Sequence, residues 1–543
     1  MRIAITGIGI ITALGNGLSA NKEGLIKGVP HVGSPHILPT VHSEWPVGEV
    51  PYTNSELAHI TGEESPEMTR NVLLGLAALK EALDDGGITD NIPFVNATTV
   101  GGMDITEKYY PQWRNAEWRH SQLFEQHETD FTTRQLALRC SLTPVATLST
   151  ACSSALNAIM YAAELLLTGQ TLQAVAGGTE ALTRFHLNGF ASLGILSERI
   201  CRPFKDDRDG INLGEGAAYL VLEEEEYAKQ HGAKIYAYLS GFGNRCDAYH
   251  QTASSPDGEG AREAMKAALT MARLKAQDIA YINAHGTATV NNDASELCAI
   301  QHVFGDSTPL IESTKPLTGH TTSASGSIEA VFSILRMQQN GYRHVLTNAF
   351  GFGGNDSSLI LSKEGSDLPP AAPTIPTATE KVSVETDTDY KTYIPLLQAR
   401  RMTEQMRCLV IAARRALEVF NKPIDGIVIG TRYGGMVPTA ALLDQLTEEE
   451  RGLSPALFMS STHNAAAGTL ARLLQCKGYN MTVVGCHPGE TAQQTARLAI
   501  CSGEAKNILV GEFDEKVPCL QPLLDVAGCD YQPAATAYIL CSD

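Results

Sequence analysis

The chain has 543 residues, 43% hydrophobic and 19% charged, with 41 basic against 60 acidic side chains and a net charge of −19. That length exceeds one ordinary core and predicts roughly two to four domains. So acidic a chain carries no electrostatic footprint for nucleic acid or an anionic membrane, although a local basic patch could still meet an acidic protein partner.

The opening MRIAITGIGIITALG has one charge and several glycines but no separate basic region or cleavage site. It predicts a buried strand and turn rather than a signal peptide. No run reaches about 18 uninterrupted apolar residues, so no membrane span is expected. The twelve cysteines are scattered without a CxxC pair. That pattern suits reduced thiols in the cytoplasm better than a disulfide framework or a zinc site.

Short apolar β-branched runs then alternate with Ala/Leu-rich stretches of helical period. RIAITGIGI is followed by TRNVLLGLAALKEALDD and NATTVGG, and SSALNAIMYAAELLLTG by QAVAGG. The alternation predicts an α/β protein with buried, mixed or parallel sheets. Residues 363–381, KEGSDLPPAAPTIPTATEK, have no apolar period and predict a Pro/Thr-rich linker. The expected domains are therefore 1–363 and 382–543, joined by 364–381.

The second domain repeats the start of the first. EMTRNVLLGLAALKEAL (67–83) aligns with RMTEQMRCLVIAARRAL (401–417), and TTVGGM (98–103) with TRYGGM (431–436). TACSSALNAIMYAAELLLTGQTLQAVAGGTE (150–180) aligns with VGCHPGETAQQTARLAICSGEAKNILVGEFD (484–514). The offset stays at 333–334 and keeps helix, turn glycine and strand in step. Residues 382–543 read as a second copy of the unit near 1–180.

Four segments of the first domain carry chemistry. In VATLSTACSSALNAIMYAAELLLTG a strand delivers Cys152 to a turn among small residues. A helix opening there would aim its positive end at the sulfur and favour thiolate; a buried structural cysteine is the plainer alternative. INAHGTATVNNDASE places His285 at a strand end before a hydroxyl-rich loop, and STKPLTGHTTSASGSIEAVFSIL holds Lys315, His320 and Glu329. TNAFGFGGNDSSLIL is a glycine-rich turn with Phe350 and Phe352. Each alone is weak.

In this order and at these separations the four segments resemble the β-ketoacyl-(acyl carrier protein) synthases, closest to the fatty-acid elongating type of the thiolase superfamily. The resemblance spans essentially residues 1–363 and includes GFASLGILSE and PFKDDRDG. It implies a layered αβαβα fold with duplicated mixed sheets, to which 382–543 adds a half-unit. It also implies a decarboxylative Claisen condensation: an acyl group on Cys152 joins malonyl-acyl carrier protein, giving a 3-oxoacyl product two carbons longer, in fatty-acid or polyene/pigment-type synthesis. By the same resemblance His285 and His320 hold the enolate, and the backbone N–H groups of Cys152 and Phe350 form the oxyanion hole. Thr287 and Thr289 would bind phosphopantetheine, Phe352 would gate the site and Phe190 would line the acyl pocket, though a core role suits Phe190 as well. Lys315 is expected to orient or electrostatically support His320, with Glu329 as counter-charge; an ordinary buried ion pair is the alternative.

No metal and no resident cofactor are expected, since the 4′-phosphopantetheine arrives on the acyl carrier protein. The implied partners are that carrier and a second synthase copy or a synthase-like heterodimer mate. The rival reading is a non-catalytic partner of another synthase, like the chain-length factors, which typically lack the nucleophilic cysteine.

Residues 382–543 contain no HGTxT, KxxxxH or GFGG. They resemble half-length ketoacyl-synthase-like proteins of aryl-polyene and flexirubin-type pathways. That implies a scaffold, pocket-shaping or dimer-surface role, with His463 in a packing segment. An independent acyl-transfer site of Cys486, His487 and Glu490 is the alternative.

Overall fold

The β-branched run Ile3–Thr12 forms a strand, β1, in which all ten residues are buried, as a strand covered on both faces requires. It joins β2 (Pro93–Ala97), β3 (Thr143–Leu148), β4 (Gln173–Glu180) and β5 (Gly216–Glu224) in the order β3–β2–β4–β5–β1. β2, β3 and β4 run parallel, and β5 is antiparallel to both its neighbours. The same order and directions return in β6 (Ala237–Cys246), β7 (Tyr281–Asn283), β8 (Leu310–Glu312), β9 (His344–Gly351) and β10 (Asn355–Ser362). They return a third time in β11 (Val382–Ser383), β12 (Gly426–Thr431), β13 (Tyr479–Val484), β14 (Asn507–Asp514) and β15 (Ala534–Cys541). The chain thus carries three versions of one five-stranded unit, the last with its first strand cut to two residues. This computed structural model describes every residue except 66, 372–373, 516, 519, 529–532 and 543.

Helices α1 (Arg70–Gly86), α2 (Thr129–Cys140), α3 (Ser154–Leu167) and α4 (Arg184–Ser192) belong to the first unit. α5 (Glu259–Ala272) and α6 (Ser325–Asn340) belong to the second, and α7 (Glu404–Phe420), α8 (Pro455–Ser461) and α9 (Pro488–Ser502) to the third. α1, α5 and α7 cover the outer faces of the three sheets, while α3 and α6 pack on each other between the first two. All fourteen residues of α3 are buried, because its Ala/Leu surface meets apolar neighbours all round. The result is the expected layered αβαβα fold with an added half-unit. The repeat is visible in the bounds: α1 and α7, and likewise β4 and β14, start and stop 334 residues apart.

The added half-unit joins the first unit through a sheet. β13 pairs antiparallel with β3, Val483 opposite Leu148 and Val484 opposite Thr147, and the Ser149 N–H donates to Thr482 O at 3.1 Å. In repeat numbering this register maps onto itself, so the two units meet about a pseudo-two-fold axis, the arrangement of an isologous dimer contact. α9 also packs on α3.

The linker differs from expectation. Leu368 is buried and its N–H donates to Met1 O, while Thr377–Ala378 pair with the end of β15. Composition hid this, because an extended Pro-rich chain can still add backbone hydrogen bonds to a sheet edge. Among the described residues no helix is long and apolar enough to cross a membrane.

Candidate active site

Cys152 stands at the tip of a strained connection. β3 leads to Ala151, whose φ of 56° lies in the left-handed region, a conformation costing a non-glycine residue on the order of 1–3 kcal/mol. A single 3₁₀ turn, Ala151–Ser153, then precedes α3, so the helix opens two residues later than expected. The turn is pinned from below: Ser153 Oγ and Asn157 Nδ2 both donate to Asn355 Oδ1, at 2.7 and 2.9 Å. Gly351 lets the β9 end approach, since a Cβ there would lie 2.5 Å from Thr150 O.

Two other left-handed residues, Ala288 and Thr322, flank the histidines. His285 lies two residues beyond the end of β7, and the buried Glu296 carboxylate fixes its loop by accepting from the N–H groups of His285 and Gly286 at 2.9 and 2.8 Å. His320 Nε2 lies 3.0 Å from Cys152 Sγ, and its Nδ1 is 2.8 Å from Ser325 Oγ. The two imidazoles meet edge to face at 5.4 Å. Buried Glu180 ties the His320 segment to the first unit, accepting from Thr98, Thr99, Thr322 and Ser323 hydroxyls.

Lys315 Nζ donates to Glu329 Oε1 at 2.5 Å, with both side chains buried. Among the described residues it makes no hydrogen bond to His320, so the orienting role expected of Lys315 falls to Ser325. Its charge acts at a distance instead. Burial and then Lys315 hold both histidines well below the ordinary imidazole range, leaving them neutral. Burial lifts the Glu329 carboxyl to about 7 against the pull of Lys315.

For Cys152 burial also wins. It pushes the thiol to about 12, with Lys315 lowering it and the Glu180 and Glu329 charges raising it. Burial thus works against the thiolate that the helix end was expected to favour. The geometry offers His320 Nε2 as the proton's neighbour.

Cys152, His285 and His320 border a cavity of about 400 Å³ that Thr287 and Thr289 also line, their hydroxyls 2.9 Å apart. Phe350 lines it beside His285, with ring centroids 5.7 Å apart. Phe352 stacks on Phe190 at 5.7 Å and separates this cavity from a narrower one of about 60 Å³ that also reaches Cys152. Of the ten site residues expected in the first domain, eight thus line this cavity, and the buried Lys315–Glu329 pair stands close enough for its lysine charge to act on Cys152 and both histidines. The thiol sulfur and a ring nitrogen of each histidine lie within 4.8 Å of one another, a set that could also hold a metal ion.

The added half-unit reaches this region. Asn464 Nδ2 donates to Phe352 O at 2.7 Å, which anchors the GFGG turn, and Phe458 packs against Phe190 at 5.3 Å. His463 lines the inner cavity, so the segment containing it does more than pack.

Cys486 has no such company. Its Sγ faces Asp130 Oδ2 at 3.5 Å and Glu128 Oε2 at 3.8 Å. Partial burial and those two charges push its thiol to about 11. His487 and Glu490 share its shallow pocket, but neither bonds the sulfur among the described residues. Glu128, Asp130 and Cys486 also have ligand types for a metal, but Arg134 and Arg432 already occupy the carboxylates.

Residues 1–228 match the β-ketoacyl synthase N-terminal domain and 236–347 its C-terminal domain, while 375–542 match an N-terminal domain of the same kind. The chain is 32% identical over 408 residues to the 3-oxoacyl-[acyl-carrier-protein] synthase 2 of Staphylococcus aureus strain MRSA252, covering 67% of this chain and 98% of the relative. The solved ishigamide ketosynthase/chain length factor is 27% identical, with a TM-score of 0.60 over 67% of this chain and 99% of that one. The PfaC keto synthase–chain length factor matches in fold over 100% of this chain and 78% of its own, with a TM-score of 0.80 at 15% identity. The chain belongs to the β-ketoacyl synthases, as a condensing acyltransferase that carries a second N-terminal synthase unit at its C-terminal end.

Proposed function

We propose that the protein condenses an acyl group held on Cys152 with a malonyl unit carried by acyl carrier protein, giving a 3-oxoacyl chain two carbons longer. The observation that carries this is Cys152 Sγ lying 3.0 Å from His320 Nε2, with His285 facing the same cavity. Cys152 Sγ attacks the incoming thioester carbonyl. Its proton passes through His320 Nε2 to the departing phosphopantetheine thiolate, leaving an acyl-enzyme. The oxyanion sits between the backbone N–H groups of Cys152 and Phe350.

A malonyl thioester then enters past Thr287 and Thr289. Its C–C bond to the carboxylate breaks, carbon dioxide leaves, and the electron pair becomes an enolate whose oxygen accepts from His285 and His320. The enolate carbon attacks the acyl carbonyl, the C–S bond to Cys152 breaks, and the sulfur takes the proton from His320 Nε2, the one proton consumed being replaced from solvent. Neutral imidazoles suit this role, because they donate without quenching the nucleophilic enolate. His320 must accept at Nε2 in the first half-reaction and donate there in the second. A serine hydroxyl both donates and accepts, so Ser325 supports either tautomer.

Ser325→Ala should therefore lower kcat roughly three- to tenfold with KM nearly unchanged, the worth of one hydrogen bond; steady-state kinetics of the condensation decides it. His320→Ala should slow malonyl decarboxylation by two orders of magnitude or more, about the loss seen when an oxyanion donor is removed. An unchanged rate of carbon dioxide release would take His320 out of the mechanism. Intact-mass analysis of Cys152 acylation with a panel of acyl-carrier proteins tests the reading as a whole. A chain-length-factor-like, non-catalytic role for residues 1–363 fits poorly with an assembled Cys–His–His set.

We also read residues 382–543 as standing where a second synthase copy would stand, closing the β3 edge and walling the acyl cavity. This replaces the expected homodimer contact at that edge. The ten described cysteines are all free, which supports a reducing, cytoplasmic setting.

A further inference from the structure

The inner cavity has an unusual wall for an aliphatic chain. Beside Phe185, Phe190, Phe352 and Phe458 it exposes three imidazoles: His127, His186 and, from the added half-unit, His463. Each is tethered through one ring nitrogen to a threonine. His127 Nδ1 lies 2.9 Å from Thr106 Oγ1, His186 Nδ1 3.3 Å from Thr183 Oγ1 and His463 Nε2 3.0 Å from Thr129 Oγ1. The remaining ring nitrogens, Nε2 of His127 and His186 and Nδ1 of His463, have no hydrogen-bond partner among the described residues. With Thr106 Oγ1 donating to Gly102 O at 3.2 Å, the His127 Nδ1–H donates to that hydroxyl and its Nε2 is left as an acceptor.

Burial, reinforced in His127 and His186 by the nearness of His463, pushes the three down to about 3, 4 and 4. They are neutral at physiological pH, each with one nitrogen free to bond. A plain alkyl chain would bury three unsatisfied ring nitrogens against methylene groups, which is costly. A chain ending in a hydroxyl can donate to one ring nitrogen and accept from another. The threonine tethers fix the rings, so the site is preorganised for such a group.

We propose that the acyl chain this synthase extends ends in a hydroxyl, alcoholic or phenolic, seated among His127, His186 and His463. The proposal rests on the condensing reading above and deepens it by naming the substrate class. It also gives the added half-unit a share in specificity, through His463.

The test compares acylation rates of Cys152, by intact mass, with four acyl-pantetheine thioesters. They are octanoyl and 8-hydroxyoctanoyl, then 3-phenylpropanoyl and 3-(4-hydroxyphenyl)propanoyl. The expected result is that at least one hydroxylated member outruns its apolar twin about tenfold or more, since a site built to bond a hydroxyl rejects the analogue lacking it. Which pair shows the gap tells alcohol from phenol. His463→Leu and His186→Phe should each shrink that ratio at least about threefold, while His463→Gln should retain part of it. Equal rates within both pairs, faster apolar members, or a ratio that neither histidine replacement moves would overturn the proposal while leaving the condensing reading intact. Acylation by none of the four would overturn both.

Discussion

Replacing Cys152 with alanine should abolish condensation, by at least about a thousandfold, because removing a covalent nucleophile leaves only binding and oxyanion stabilisation. Covalent labelling by a thiol reagent directed at the active site should vanish with it. Retention of either would end the assignment. The nine other described cysteines provide the internal control, since they are free but lie apart from His285 and His320.

The same residue yields a pH test with a definite sign. Burial disfavours the charged form, so the Cys152 thiol sits near 12 rather than below its ordinary value. Alkylation follows the thiolate, whose fraction then rises about tenfold per pH unit through the whole range in which the protein can be handled. Alkylation of Cys152 should climb steadily from pH 7 to 10 without a plateau. A plateau at pH 7–8 would show that the helix end and Lys315 outweigh burial. Turnover need not follow that slope, because during acyl transfer the proton can pass to His320 at 3.0 Å without free thiolate accumulating.

How much of this was legible in the sequence depended on distance along the chain. Cys152, His285, His320, Thr287 and Phe352 lie in short motifs, where spacing alone constrains geometry. The order of sheet and helix followed from alternating period, and the third unit from a constant offset. What spacing could not reveal were partners from elsewhere in the fold. Glu180 gathers Thr98, Thr99, Thr322 and Ser323 from both sides of the site, and nothing in GGTE announces that. Ser325 was near enough to see, but a serine at a helix start reads as a cap. The contrast between burial and helix end at Cys152 is likewise a three-dimensional balance. The most instructive case is Thr129 with His463. They occupy equivalent positions in the two copies, 334 residues apart, and they touch at 3.0 Å. The offset identified them as equivalent; only the pseudo-two-fold axis makes equivalents neighbours.

That axis frames the second large expected effect. Ending the chain at residue 365 removes β13 from the edge of β3 and uncovers the side of α3 on which α9 packs. It also deletes Phe458 from beside Phe190, and Asn464 from the carbonyl of Phe352. The exposed β3 edge is then self-complementary, because its present partner is its own repeat in a two-fold relation. An unpaired edge of this kind seeks another strand. The truncated chain should therefore pair with itself or precipitate, whereas the full chain keeps that edge closed, and light scattering after size exclusion separates the outcomes. Where a soluble dimer forms, the acyl cavity acquires Thr129 from the mate where His463 now stands. Product lengths should shift accordingly, and the rate should fall by roughly tenfold or more as the GFGG turn loses its anchor. A truncated chain that stays monomeric, with the same products at the same rate, would make residues 382–543 dispensable. It would also overturn the scaffold, pocket-shaping or dimer-surface role that the sequence of the half-unit implies, leaving a copy that kept the place of Cys486 without the two-histidine set of the first domain.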